Sequence, residues 1–464
     1  MIISVSILYL TRVSAPLKQK KGYNAMKIGG LLISMPDGTV FSGYARLLSK
    51  RNMGNICFCH VRFQEDQIQI VLRNGLDNYR ELVGLPLGSL LHLVGNKIVT
   101  KTGMPSLEVI DAQAVFVYGG NMPDKRHGLT SALRYRKRVE DLTTNPEAFL
   151  FAKKMSHALS VIRMLLYEKG FHEFITGVLQ ETFEAGQANS FETHCLANDK
   201  TLFLSLTSEL KLRRLIVSGF DKVFEIAQSF RNEGIDALHS PEFTMLEVYA
   251  VDADYRQMMN LLEELVSRVV RECEGDEAIV FIDDNGDGKR VCYNQAFVRL
   301  PFRQAFEGMV GNWEMCDLGV LSETYPELFN TSMTRFTWLM KVIEKLMVPR
   351  IINPTFLTEL PIGMSPFVKN NQDGMTSERA FLIAQGLFLA DIYSDENDVS
   401  KLSDALERQS GEAGNEVNRE YLEVMNMGVP PKTAGIGMGL NRLLMLLLGS
   451  LPRNIKETIL YPIL

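Results

Sequence analysis

Between Val223 and Tyr249 an apolar run ends at Phe230-Arg231, and a polar stretch bearing Glu233 and His239 follows before a second apolar run begins near Glu242. Two strands joined this way form an antiparallel hairpin whose loop projects from the sheet. An arginine at a strand end grips phosphate oxygens with a planar fork and neutralises the charge that develops in phosphoryl or nucleotidyl transfer. On the return strand Glu247 and Tyr249 are two residues apart and face one side, where they can fix a cationic ligand. A plain hairpin with a salt-bridged loop has the same outline. A second block raises the stakes: Ala434 to Leu446 carries Gly435, Gly437 and Gly439 in alternation, then Arg442 at the opening of an apolar helix. Such glycines let a flat ligand lie against the backbone and bring Arg442 to a nucleotide's phosphates, although alternating glycines also mark close strand packing.

These residues need a frame to hold them. Strand-like segments at 202–206, 222–227, 241–249, 386–394 and 434–438 show no regular strand–helix alternation, which predicts an α+β fold with an antiparallel sheet. Phe149, Ala152, Met155, Leu159, Ile162 and Leu166 recur at helical spacing and predict a helix over Pro146–Glu168. Residues 27–120 read differently, as short β-rich runs (Val40–Leu48, Ile56–Phe63, Asp66–Leu72, Leu90–Val99, Leu107–Val117) broken by turns, with one helix at Asn78–Val83. Five strands at this spacing predict a small antiparallel barrel. Barrels of this kind serve either as structural modules or for nucleic-acid binding. For the second use Arg46, Arg51 and Phe58 are the candidates for phosphate contact and base stacking, while Phe58 also has the spacing of a core residue. Residues 121–145 read as a linker whose basic stretches, Lys125-Arg126-His127 and Arg134 to Arg138, are either a solvated connector or phosphate contacts. Residues 1–26 read as an extension in which the apolar stretch precedes the basic residues, the reverse of a signal peptide, and Met26 is an alternative start.

Composition sets the outer limits. A chain of 464 residues holds two or three domains, and 46% hydrophobic with 22% charged residues excludes a disordered chain. A formal net charge of −6 excludes binding nucleic acid by bulk charge alone. Six cysteines are too few for a disulfide scaffold, and Cys57 and Cys59 read as neighbours on one strand face. No apolar run reaches the roughly 20 residues of a membrane span, and a cytoplasmic location is expected.

Together the two blocks resemble motifs 2 and 3 of the class II aminoacyl-tRNA synthetases, and within that class the lysine enzymes. Phe230-Arg231-Asn232-Glu233-Gly234, His239, Pro241-Glu242-Phe243-Thr244 and Glu247 carry the motif 2 likeness. Ser208-Glu209-Leu210, Ile352-Asn353-Pro354-Thr355-Phe356, Thr433-Ala434-Gly435 and Ile459-Leu460-Tyr461-Pro462 extend it over nearly the whole chain. The resemblance implies an OB-fold anticodon-binding barrel over 27–120 and a catalytic domain over 146–464 that binds ATP, lysine and tRNA and pairs as a homodimer. It implies that Arg231 contacts the α-phosphate and Arg442 the γ-phosphate, with Glu233, His239 and Gly439 beside the nucleotide and Phe243 stacked on adenine. Glu209 would take the substrate's α-ammonium. Glu247, Tyr249, Asp391, Tyr393 and Asp395 would surround its side-chain ammonium.

Some positions depart from the family. The magnesium-binding glutamates that the resemblance implies fall on Phe381 and Phe388, which offer no donor to a hard cation. Glu184 and Ala185 replace paired glycines, Asn189 and Ser205 replace arginines, Gly177 replaces the motif 1 proline, and Asn441 replaces an aspartate. The expected function is an ATP-dependent lysine–tRNA ligase. The alternative is a weakened paralogue that binds ATP or RNA and acts in regulation. Transfer of an amino acid to a protein, as in the synthetase-like modifier of translation elongation factor P, is disfavoured because that relative lacks the barrel.

Overall fold

In Ile56–Phe63 the residues Cys57, Cys59, Val61 and Phe63 are buried and those between them are half-exposed, the period-2 signature of a strand with one face on a core. A computed structural model describes residues 36–63, 65–120, 122–123, 128–182, 189–282, 286–330, 332–413, 419–449 and 454–464. The expected extension 1–26, the basic Lys125-Arg126-His127 and the departures at Glu184 and Ala185 lie outside them. Two compact units are present, one up to Lys153 with Leu464 and one from Lys154 to Ile463.

The first unit is built on β1 (Val40–Asn52), β2 (Ile56–Phe63), β3 (Asp66–Arg73), β4 (Leu90–Val99) and β5 (Pro105–Phe116), with the short helix α1 (Tyr79–Gly84) between β3 and β4. The strands close into a barrel in the order β1-β2-β3-β5-β4, and β4 returns to pair with β1. All neighbours are antiparallel except β3 and β5. This is the small barrel that the strand spacing predicts, and it is OB-like, as the resemblance implies. Its interior is filled by Phe41, Val61, Ile68, Ile70, Leu91, Leu93 and Leu107, and α1 adds Tyr79 and Leu82. Cys57 and Cys59 sit side by side in that interior, with their sulfurs 3.7 Å apart.

After the barrel, Arg134 and Arg138 both turn onto the buried Asp141, at 3.2 and 3.0 Å. Two arginines of the basic linker are therefore spent on a structural carboxylate, while Arg136 and Lys137 stay exposed. The helix α2 (Pro146–Glu168) has the bounds its apolar spacing predicts.

The second unit centres on an eight-stranded sheet. Its strands are β6 (His172–Glu173), β7 (Lys222–Phe230), β8 (Glu242–Val251), β9 (Val298–Pro301), β10 (Thr355–Thr358), β11 (Arg379–Ala384), β12 (Leu387–Ser394) and β13 (Thr433–Gly439). In space they run β9-β10-β11-β12-β13-β8-β7-β6. Pairing is antiparallel across the middle and parallel only at the two edges, β9 with β10 and β6 with β7. The α+β reading with an antiparallel floor matches this topology. Helix α3 (Glu209–Val217) precedes β7, and the long helix α4 (Tyr255–Glu274) follows β8. Asp254 caps α4 by accepting from the backbone N–H groups of Arg256 and Gln257. The N–H of Tyr255 donates to Ser394 Oγ on β12, so α4 lies on the sheet face that carries Ser394. Alternation then puts Asp391 and Tyr393 on the opposite face. There the functional side chains gather. Helix α5 (Leu440–Leu446) leaves the end of β13 with Leu440, Leu443 and Leu444 buried.

Candidate functional site

Three central strands register so that glycines lie between reactive side chains. Glu247 on β8 pairs with Gly437 on β13, which pairs with Asp391 on β12. One step along, Tyr249 pairs with Gly435 and Gly435 with Tyr393. A Cβ on Gly435 would stand 2.3 Å from the Tyr249 ring, so only glycine fits there. The expectation that these glycines free the backbone for a flat ligand is thus corrected at Gly435, whose space is filled by the protein's own tyrosine. Gly437 and Gly439 line the open cavity.

Across the gap left by Gly435 the Tyr249 and Tyr393 hydroxyls meet at 3.1 Å. Tyr393 donates to Glu209 Oε1 at 2.7 Å, and Tyr249 donates to Glu247 Oε2 at 3.2 Å. Thr207 Oγ1 donates to Glu247 Oε1 at 2.6 Å. Burial, and next the charge of Glu209, push the Glu247 carboxyl up to about 8, against the hydrogen bonds from Thr207 and Tyr249 and the charge of Arg231. Burial likewise raises Glu209, opposed by Arg213 and by the Tyr393 hydrogen bond.

A cavity of about 490 Å3 opens over this floor. Glu209, Glu247, Asp391 and Tyr393 line it together with Arg231, Glu233, His239, Phe243, Gly439 and Arg442. Two arginines far apart in the chain therefore share one cavity. Arg231 leaves the end of β7, and its guanidinium lies 5.2 Å from the Phe243 ring centre. Arg442 on α5 donates from Nη1 to the Phe388 carbonyl at 3.2 Å, and its Nη2 lies 3.1 Å from His239 Nε2. An arginine only donates, so His239 Nε2 accepts and its proton sits on Nδ1, facing the Asp236 carboxylate at 2.9 Å. Burial lowers the affinity of both guanidinium groups for their protons, although arginine stays charged; carboxylates oppose the shift, Glu233 and Glu247 at Arg231 and Glu344 at Arg442.

Two expected contacts are placed elsewhere. Asp395 does not line the cavity, because β12 ends at Ser394 and its carboxylate turns to Arg213 at 2.5 Å and to Thr433 at 2.5 Å. Tyr249 is fully buried behind Glu247 and acts through its hydroxyl. Asp391 lines the cavity but is clasped by Arg379, with Nε donating at 2.8 Å and Nη2 at 2.5 Å. On the barrel, Arg51 pairs across strands with Phe58, and Arg46 with Arg62. Phe58 is half-exposed, because the core face of β2 belongs to Cys57, Cys59, Val61 and Phe63. Arg46 Nη1 donates to the Gly88 carbonyl at 2.7 Å, and Arg51 is exposed.

Phe381 and Phe388 form a cavity wall, their rings 4.9 Å apart and edge to face. Neither carries a donor atom, and the described residues contain no group of three His, Cys, Asp or Glu side chains arranged to hold a metal. The donor set at these two positions does not fit magnesium. Asn441 is structural: its Oδ1 accepts from the Thr244 N–H at 2.7 Å, and its Nδ2 donates to Thr458 Oγ1 at 3.0 Å. Ser205 receives Lys211 Nζ at 3.4 Å, which also reaches the Gly177 carbonyl at 2.8 Å.

Sequence reasoning missed Thr207, Arg213, Arg379, Glu344 and Asp236. Arg379 had a signal, since it is the lone cation of an apolar strand and must find a carboxylate, whereas Arg213 shares its helix with Lys211 and Arg214 and had none.

The family model for class II tRNA synthetases (D, K and N) matches residues 130–464. The chain belongs to the class II tRNA synthetases. Its relatives include the lysine–tRNA ligase of Dehalococcoides mccartyi, 34% identical over 437 residues that cover 90% of this chain and 86% of that one. The lysine–tRNA ligase of Enterococcus faecalis is 32% identical, with 91% and 87% covered. That of Fusobacterium nucleatum is 30% identical, with 96% and 92% covered. The match to class II synthetases includes both arginine-bearing segments and the whole eight-stranded sheet. Among the described residues of this synthetase no helix is long and apolar enough to cross a membrane.

Proposed function

We propose that this class II synthetase activates lysine with ATP and transfers the lysyl group to tRNA. The observation that carries the proposal is the single cavity in which Arg231 and Arg442 stand beside Glu209 and Glu247. The lysine carboxylate attacks the α-phosphate of ATP, lysyl-adenylate forms, and pyrophosphate leaves. The tRNA 3′-terminal ribose then takes the lysyl group and AMP departs. Arg231 neutralises charge on the α-phosphate and Arg442 holds the γ-phosphate, oriented by its bonds to Phe388 and His239. Phe243 stacks on adenine, with Glu233, His239 and Gly439 beside the nucleotide. Glu209 takes the α-ammonium. Glu247 takes the side-chain ammonium, with Tyr249, Tyr393 and Asp391 around it, and Asp395 acts indirectly by holding Arg213. Positioning and charge neutralisation supply most of the acceleration in such a reaction.

ATP chemistry in this class generally employs magnesium. The side chains at positions 381 and 388 would give it no ligand. On the barrel, Arg51 and Phe58 form one cross-strand pair that offers charge and a ring to single-stranded RNA, with Arg46 on the same strand as Arg51. The anticodon is the proposed ligand of this face. The barrel over 27–120 and the catalytic region over 146–464 are the proposed functional divisions, with a homodimer as the working assembly and the cytoplasm as its place. Charging of a lysine-accepting tRNA transcript with labelled lysine tests the proposal. Lysine-specific charging is expected, and binding of ATP and tRNA without charging would remove it.

A further inference from the structure

The hydroxyl and carboxyl groups on the cavity floor form one unbroken chain. Thr207 Oγ1 reaches Glu247 at 2.6 Å, Glu247 reaches Tyr249 at 3.2 Å, Tyr249 reaches Tyr393 at 3.1 Å, and Tyr393 reaches Glu209 at 2.7 Å. Each of these four links needs a proton between its oxygens. The three hydroxyls bring three, because burial raises both tyrosines and keeps their phenols protonated. The fourth proton must come from a carboxylic acid, which donates to its own tyrosine and so turns that tyrosine's proton onto the Tyr249–Tyr393 link in place of the carboxylate.

The surrounding cations indicate where that proton resides. Around Glu247 stand Glu209 from α3, Asp391 and Tyr393 from β12, Tyr249 on its own strand and Arg231 from the end of β7. Arg213 is engaged by Asp395 and Glu209, and Arg379 by Asp391. Arg231 faces Glu247 electrostatically, but among the described residues its side chain makes no hydrogen bond to that carboxyl, and its Nε is buried without a partner. Glu209 has a nearby guanidinium and a short phenolic donor, whereas Glu247 has hydroxyl donors.

We infer that Glu209 and Glu247 share one proton through the Tyr249–Tyr393 bridge, and that an amino acid bearing a second ammonium group expels it on binding. The second half rests on the lysine reading above and names what that site senses. With the α-ammonium at Glu209 and a side-chain ammonium at Glu247, both carboxylates accept from a bound cation, and the carboxylic proton passes to the buffer. An amino acid of similar length with an uncharged side chain supplies one cation, and the proton stays. The floor thereby discriminates by the number of cations. Tyr393 is a positioning residue in this arrangement, because it links the two acids.

Two measurements test the inference on the full chain. Infrared spectroscopy of the ligand-free protein at neutral pH is expected to show the carbonyl stretch of a buried carboxylic acid, lost in Glu247→Gln; its absence from the wild type overturns the shared proton. Calorimetry at pH 7 in buffers of different ionisation enthalpy is expected to show about one proton released per L-lysine bound and none with L-norleucine. The lysine Kd is expected to fall roughly tenfold per pH unit up to the titration of the acid, with a shallower slope in Tyr393→Phe. Lysine binding that is independent of pH and releases no proton overturns the expulsion step. An acid band present while lysine gives no heat upholds the shared proton and counts against lysine as the ligand.

Discussion

Tyr249 and Tyr393 meet hydroxyl to hydroxyl, 3.1 Å apart, across a glycine on the strand between their own. Neighbouring strands lie about 4.8 Å apart, so side chains two strands apart touch only where the intervening residue has none. The contact thus depends on Gly435, and through it the two glutamates that line the cavity are linked.

Gly435→Ala is expected to destabilise the protein by about 1–3 kcal/mol, the usual cost of overfilling a packed site. The added methyl meets the fully buried Tyr249 ring, which has no room to withdraw. Chemical denaturation measures the loss, and lysine affinity should fall with it. An alanine variant of wild-type stability would show that the ring can move.

Asp395→Asn is expected to cost about 3–5 kcal/mol by leaving the Arg213 guanidinium buried without its main counter-charge. Both side chains are only 3% exposed. The loss should appear in thermal unfolding. In the protein that remains folded, the KM for lysine should change less than it does in Glu247→Gln, because Asp395 stands outside the cavity.

Stability should depend on pH through Glu247. Its carboxyl titrates near 8 in the folded chain and at an ordinary value near 4.5 when unfolded. The folded state therefore binds the extra proton between those values, and stability falls as pH rises through that window, then levels off. Glu247→Gln should flatten this slope. Denaturation midpoints measured from pH 5 to 9 check it, and a wild type that grows more stable over the window because of Glu247 would contradict the assignment.

How much of this was readable beforehand differs by residue. Arg231 and Arg442 were legible because strand ends and helix starts fix where a side chain points, whatever else packs nearby. The barrel strands and the helix Pro146–Glu168 were legible from periodicity alone. The phase of β2 was not: Phe58 and Cys57 are both apolar, and only the closed barrel decides which faces inward. Asp395 shares the parity of Asp391 and Tyr393, so nothing in the alternation opposed the pocket position that the resemblance implies. Its strand stops one residue earlier, and its partner Arg213 comes from a helix distant in sequence. Likewise, the glycine alternation announced open space without revealing that Tyr249 would fill part of it.

The phenylalanine wall predicts how metal affects the nucleotide. Thermal stabilisation by ATP should change little when magnesium is replaced by a chelator, since Phe381 and Phe388 give the ion nothing to bind. Phe388→Glu places a carboxylate in the cavity near Arg442, and stabilisation by ATP should then become larger with magnesium than without. Loss of the wild-type shift on chelation would show that other groups recruit the ion.

Lysine activation is tested most directly by ATP–pyrophosphate exchange, compared across lysine, arginine, ornithine and norleucine. Lysine should drive exchange well above the others, and Arg231→Ala or Arg442→Ala should each reduce it by about 10²–10³-fold, the loss typical of removing a group that stabilises transition-state charge. Exchange that no cationic amino acid stimulates, in a protein that still binds ATP, would contradict the assignment.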